Sequence, residues 1–112
     1  MSRIIGIFGE NQAECYLKKI GYKILCKNYH SRFGEIDIIA LHGDCTVFVE
    51  VKKRGENSFA GGAEFVTPTK QKKIIKTALF YIQSKNIQNN IRFDVIEINC
   101  NNINHIKNAF YA

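Results

Sequence analysis

The stretch VFVEVKK, residues 47–53, sets a carboxylate and an ammonium two residues apart in the most β-prone text of the chain. In an extended strand, residues at i and i+2 share a face, so Glu50 and Lys52 project together while Val47, Val49 and Val51 project from the other side. Just upstream, GEIDIIALHG carries Glu35 and Asp37 at the same spacing, with Ile36 and Ile38 opposite. Antiparallel pairing of the two strands through the LHGDC turn would bring Asp37 close to Glu50, so that three carboxylates and one lysine converge. Carboxylates held close on rigid strands repel one another unless a cation intervenes, and hard oxygen donors of this kind suit magnesium or manganese rather than zinc. A lysine beside them can orient a water or neutralise charge developing on a phosphate, which is the apparatus of metal-assisted phosphodiester hydrolysis. By itself the E-x-K step fits a surface ion pair on an edge strand; the acidic strand at hairpin distance is what points to chemistry.

Those strands need a frame, and the apolar periods supply one. Ala13, Tyr16, Leu17 and Ile20 recur at helical spacing, and Gly21 stands where a helix C-terminus wants a residue free to turn left-handed, which predicts a first helix over about Glu10 to Ile20. YKILCKNY, the turn HSRFG and EIDIIALHG predict a hairpin, followed by the VFVEV strand. NSFAGGAEFV is then a glycine-bearing loop of a length that often borders a site. Thr67 and Pro68 supply an N-cap and a favoured first helical residue, and Ile74, Ile75, Ala78, Leu79 and Ile82 form an apolar stripe down to about Lys85. IRFDVIEI at 91–98 reads as the last strand, and the Asn-rich tail NCNNINHIKNAFYA as turns with a short terminal helix or hook. The expected order is αβββαβ, an α/β fold in a single domain over residues 1–112.

The text GEIDIIA at 34–40, VFVEVKKR at 47–54, the GG, VT and KQKK steps within 61–73 and RFDVIEI at 92–98 closely resembles the YraN-like family of small, uncharacterised bacterial proteins. That family is similar to PD-(D/E)xK nucleases, and the resemblance, which runs from about Gly6 to Phe110, implies the restriction-endonuclease-like fold shared with archaeal Holliday-junction resolvases. It implies that Asp37 stands for the motif aspartate, Glu50 for the second acidic residue and Lys52 for the motif lysine. The proline of the PD element is absent, since Ile36 precedes Asp37. Gly9, Glu10 and Ala13 look like the family's G-E-x-x-A start, and nucleases of this fold often place a helix acid near the metal. At about 100° per residue, Glu10 lies nearer the Ala13 and Leu17 stripe than Glu14 does and can face the sheet, although a helix dipole also favours an acid there. The expected ligands of magnesium or manganese are therefore Asp37, Glu50, Glu10 and the Val51 carbonyl. Gln71 shares the stripe of Ile75, Ala78 and Ile82, an odd place for an amide unless it faces a polar pocket, and is expected to support Lys52 in the catalytic set.

Sixteen Lys and Arg against ten Asp and Glu give a formal charge of +6 on 112 residues, which makes polyanions the obvious partners. Lys53, Arg54, Lys70, Lys72, Lys73 and Lys76 cluster after the motif strand and on the second helix, and Arg32, in the turn before Glu35, could also reach a phosphate. Lys53, Arg54 and Lys70 are the better candidates for phosphate contact. Lys72, Lys73 and Lys76 fall on the face away from the stripe, where solvated lysines are ordinary. Arg92 and Asp94 read as an ion pair on one strand face rather than as catalysts. The chain has no apolar run of membrane length and no signal-peptide core, so a cytoplasmic location is expected. Cys15, Cys26, Cys45 and Cys100 form no CxxC pair and read as reduced, mostly half-buried thiols, and His30, His42 and His105 as surface residues without assigned chemistry. The function expected is a metal-dependent DNA endonuclease, acting on branched or damaged DNA as the resolvase resemblance implies. The alternatives are a nucleic-acid-binding module without efficient cleavage and a scaffold whose basic face binds an acidic protein. Paired incision of four-way junctions would ask for a symmetric homodimer, with Phe80, Tyr81, Phe110 and Tyr111 as the apolar residues to spare.

Overall fold

The structure is a computed structural model that describes residues 2–53, 66–100 and 102–112, with residues 2–10 described as helix backbone alone. The described elements run α1 (Ser2–Lys19), β1 (Lys23–Ser31), β2 (Gly34–His42), β3 (Cys45–Lys53), α2 (Pro68–Lys85), β4 (Asn90–Asn99) and β5 (Asn102–Phe110). The strands form one sheet in the order β1-β2-β3-β4-β5, antiparallel at every step except β3 to β4, which is parallel and has α2 in its crossover. This five-stranded mixed α/β sheet with a helix on each face is compatible with a restriction-endonuclease-like fold.

Each helix ends where its residues say it should. Gly21, at φ 98°, closes α1 with a paired cap in which Tyr22 N–H donates to the Leu17 carbonyl at 2.9 Å and Gly21 N–H to that of Lys18 at 3.1 Å. The helix starts earlier than the expected Glu10, at Ser2, and runs through Ile4, Ile5, Gly6, Ile7 and Gly9, whose low helix propensities left no helical signal in the sequence there. α2 begins at Thr67, whose side chain accepts from Lys70 N–H, and stops at Asn86 in the left-handed region at φ 54°. Its buried face is Ile74, Thr77, Ala78 and Tyr81. Leu79, expected on the stripe, is 53% exposed, because it lies about 100° round the helix from Ala78; Tyr81, expected on the outer side, is the buried residue.

Two cores sandwich the sheet. Phe48, Phe93, Val95, Ile39 and Ile36 pack under α2, and Val47, Val49, Ile96, Ile98, Ile38 and Ala40 pack with Ala13 and Leu17 of α1. β3 alternates as expected between them. β2 does not: Ile36 belongs to the α2 side and Ile38 to the α1 side, so the two do not share a face. The opposing strand breaks at the same level, where Cys26 and Tyr29 both pack toward α2 and Asn28 between them takes φ 53°. Asn28 and Asp37 lie opposite each other, between the pairs Lys27↔Ile38 and Tyr29↔Ile36. Both strands thus change face at one rung, through an asparagine that tolerates the left-handed region.

The C-terminal segment is a further correction. It forms β5, antiparallel to β4 from Asn99↔Asn102 to Phe93↔Phe110, rather than a helix or hook, so the order among the described residues is αβββαββ. Asparagine has low β-propensity, and this edge strand is held by β4 and by Ile103, Ile106 and Phe110 dipping into the two cores.

Candidate functional site

The β2–β3 ladder runs from His42↔Cys45 to Ile38↔Val49. At the next level Asp37 Oδ2 accepts the Val51 N–H at 2.8 Å, so a side chain takes a donor that a continued ladder would give to backbone. The change of face at Asp37 turns that carboxylate toward β3 while β2 leaves the ladder. The hollow that results, about 450 Å³, is lined by Asp37, Glu50 and Val51 from the strands and by Thr67, Thr69 and Lys70 from the start of α2. Thr67 earns its place as the N-cap, because its bond to Lys70 N–H fixes the first turn over the carboxylates.

Glu50 lies on the α2 face with Phe48 and is only 6% exposed. Lys70 forms an ion pair with its Oε2, and Lys52 Nζ lies 3.7 Å from the same oxygen. Burial works against the charge on Lys70, but the Glu50 carboxylate and the charge of Asp37 more than offset it and raise its pKa. A protonated amine therefore already sits in the field of both carboxylates. Two carboxylates and a neighbouring backbone carbonyl are hard donors, and magnesium commonly binds through one or two carboxylates with its remaining positions left to water and substrate. The residues present fit such an ion. Among the described residues no group of three or more acidic, histidine or cysteine side chains forms a closed metal cage.

The expected convergence of three carboxylates reduces to two. Glu35 borders the hollow, but its side chain is 60% exposed and pairs with His30 Nδ1 at 3.3 Å, because the break at Asp37 separates the two acids. Glu10 lies on α1 and its side chain is outside the described residues, as is all of Arg54. Gln71 donates to the Val66 carbonyl at 2.8 Å, tying the start of α2 to the residue that enters it. Lys53 is exposed at the end of β3, opposite Ile98 of β4. Lys73 borders the carboxylate hollow, and Arg32 and Lys72 lie with it around an adjoining one. Glu97, fully buried, had no signal in the sequence beyond its place in the last strand; the parallel register sets it beside Lys52, and Asn104 donates to its Oε1 at 2.7 Å.

On the opposite face, Arg92 and Asp94 form the expected ion pair, with Nε to Oδ1 at 2.8 Å and Nη2 to Oδ2 at 2.9 Å. His105, expected at the surface, is instead 5% exposed, with Nε2 at 2.7 Å from Asp94 and Nδ1 at 3.0 Å from Tyr16 Oη, because β5 carries it in beside β4. His42 stacks on Tyr22 at 4.1 Å. All four cysteines are free, Cys26 and Cys45 partly buried and Cys15 and Cys100 exposed. No described helix is long and apolar enough to cross a membrane.

The fold and the gathered side chains define a small α/β protein with an acidic pair and lysines at the split end of a central hairpin. The chain belongs to the uncharacterised protein family UPF0102, the YraN-like family, whose family model matches residues 9–98. A UPF0102 protein of Sulfurihydrogenibium sp. (strain YO3AOP1) is 50% identical over 106 residues, covering 94% of this chain and 92% of the relative. One from Persephonella marina is 48% identical over 110 residues, covering 97% and 95%. Another, from Thermodesulfovibrio yellowstonii, is 48% identical over 112 residues, covering 99% and 100%.

Proposed function

We propose that the protein is a divalent-metal-dependent DNA endonuclease. The observation that carries this reading is the single hollow in which Asp37 and Glu50 meet at a break in the β2–β3 ladder, with Lys52 beside Glu50 and Lys70 and Lys73 at the rim. Asp37, Glu50 and the Val51 carbonyl would hold magnesium or manganese, which when bound supplies charge to polarise a phosphodiester and to lower the pKa of a water. Lys52, anchored on a strand, is placed to orient the attacking water or to meet charge growing on the phosphate. Lys70 and Lys73 would hold the flanking phosphates. Because Lys70 now occupies Glu50, it must turn toward the DNA as the metal enters.

The pairing of Lys70 with Glu50 also favours a second reading, a nucleic-acid-binding module in which the ammonium neutralises the acidic pair and nothing is cut. One assay separates the two: linear, single-stranded, flapped and four-way DNAs incubated with magnesium or manganese, wild type beside Asp37→Asn. Cleavage by wild type that the variant loses supports the endonuclease. Tight binding with no product on any substrate favours the module, and neither binding nor cleavage would leave the acidic-protein scaffold.

A further inference from the structure

From the carboxylate hollow a second surface continues along α2. Thr69 and Lys73 border the candidate site and also an adjoining hollow of about 470 Å³ completed by Arg32, Phe33, Lys72 and Lys76. Beyond it Arg32, Phe33 and Lys76 meet Leu79 and Phe80, which are 53% and 51% exposed. Phe33 lies at the middle of this track with two cations against its ring, the Arg32 guanidinium carbon 4.9 Å and Lys76 Nζ 5.5 Å from the ring centre. The turn that carries it is built rather than loose. Phe33 N–H donates to Ser31 Oγ at 3.0 Å, Ser31 Oγ meets Thr77 Oγ1 at 2.9 Å, and Thr77, fully buried in α2, donates to the Lys73 carbonyl at 2.9 Å. A hydrogen-bonded chain thus ties the turn that carries the ring to the helix that borders the carboxylates.

We infer that this surface binds an unpaired DNA strand, with a base stacked on Phe33 and its phosphates on Arg32, Lys72, Lys73 and Lys76; the inference rests on the endonuclease reading and names the kind of substrate that the site would take. No carboxylate borders the Phe33 part of the track among the described residues, so its charge complements a polyanion. Paired bases turn their faces to one another, whereas a base in a flap, gap or open junction presents its face to an aromatic ring. Phosphates drawn to Arg32 and Lys76 would pull those side chains off the ring and uncover it. The preference for unpaired strand therefore belongs to the turn and to α2, and the chemistry to the strands.

The protein contains no tryptophan, so Phe33→Trp places a single fluorescent reporter on the track. Without metal, an oligothymidylate of about 12 nucleotides should quench that tryptophan, and an abasic strand of equal length and charge should bind without quenching it. Phe33→Ala should weaken single-strand binding roughly fivefold to a hundredfold, the range for loss of one base–aromatic stack, and change duplex binding less than about twofold. Saturating oligothymidylate that leaves the tryptophan unquenched, or an equal loss for duplex and single strand in Phe33→Ala, overturns the inference. Both readouts are free of cleavage, so an inactive protein that stacks the base would fail the endonuclease reading alone, and an active one that does not would fail only this inference.

Discussion

Lys52 and Lys70 approach the same carboxylate with different reach. Lys52 rises from the end of β3, held in the parallel ladder opposite Glu97 of β4, and Lys70 comes from a helix turn at the rim. A charge that matters more in the transition state than in the ground state lowers rate rather than affinity when it is removed. On a DNA that wild type cuts, Lys52→Ala should reduce the single-turnover rate on the order of a hundredfold while metal and DNA affinity change little. Lys53→Ala should shift DNA affinity and leave that rate near wild type; equal rates for wild type and Lys52→Ala would remove Lys52 from the chemistry. Asp37 supports a second expectation, measured without substrate. If it holds the ion, manganese at a hundredfold excess over its Kd should stabilise the wild type by roughly 2.7 kcal/mol, and Asp37→Asn should abolish most of the gain. The measurement is the rise in Tm with added manganese. An identical rise in both proteins would place the ion elsewhere.

The strand alternation of β3 and the caps of α2 were legible because each rests on neighbours in sequence: Val47, Val49 and Val51 against Glu50 and Lys52, Thr67 and Pro68 at a helix start. Asp37 and Glu50 were rightly expected near one another across a hairpin, but the change of face at Asn28 and Asp37 was not legible. Strict alternation assumes an unbroken ladder, and what breaks this one is tertiary: a side chain bonding to Val51 and two cores competing for Ile36 and Ile38. β5 escaped for a related reason, since its asparagines say turn while β4 offers an open edge. The basic turn was noted for Arg32, but nothing local marks Phe33 as bonded to Ser31 and thence to α2. At this scale Gly21 gives the cleanest test. At φ 98° any side chain is strained although the surrounding space is open, so Gly21→Ala should cost about 1 kcal/mol and lower the urea midpoint without altering the slope. No loss of stability would mean that the α1 cap is not under the constraint described.

For the molecule as a whole, the face away from the carboxylates sets the response to acid. Burial pushes the Asp94 pKa up, but bonds from His105, the Arg92 fork and the Asn108 N–H outweigh it, and the group is held below its ordinary 3.8. A depressed folded pKa contributes stability in full above the unfolded value, lost as pH falls through the folded one. Urea midpoints should therefore hold steady near neutrality and drop below about pH 4. Asp94→Asn should already be weaker at neutral pH, by about 1–3 kcal/mol, because the half-buried Arg92 loses its charged partner and keeps only neutral acceptors such as Tyr22 Oη, and should fall less steeply in acid. Parallel acid profiles would assign the loss to other carboxylates. The sheet order has a consequence for how the chain is made. Every strand lies beside its predecessor in sequence, so as the polypeptide is synthesised β2 can zip onto β1 and β3 onto β2 by short turns. β4 alone must return across a long segment before it docks, the step with the largest loop-closure entropy. α2 lies within that segment and carries Lys70 and Phe33's helical anchor, Thr77. A nascent chain that has emerged only through β3 thus holds Asp37, Glu50 and Lys52 but neither Lys70 nor the helix under the track, and the candidate site is assembled only once α2 has been made and has docked.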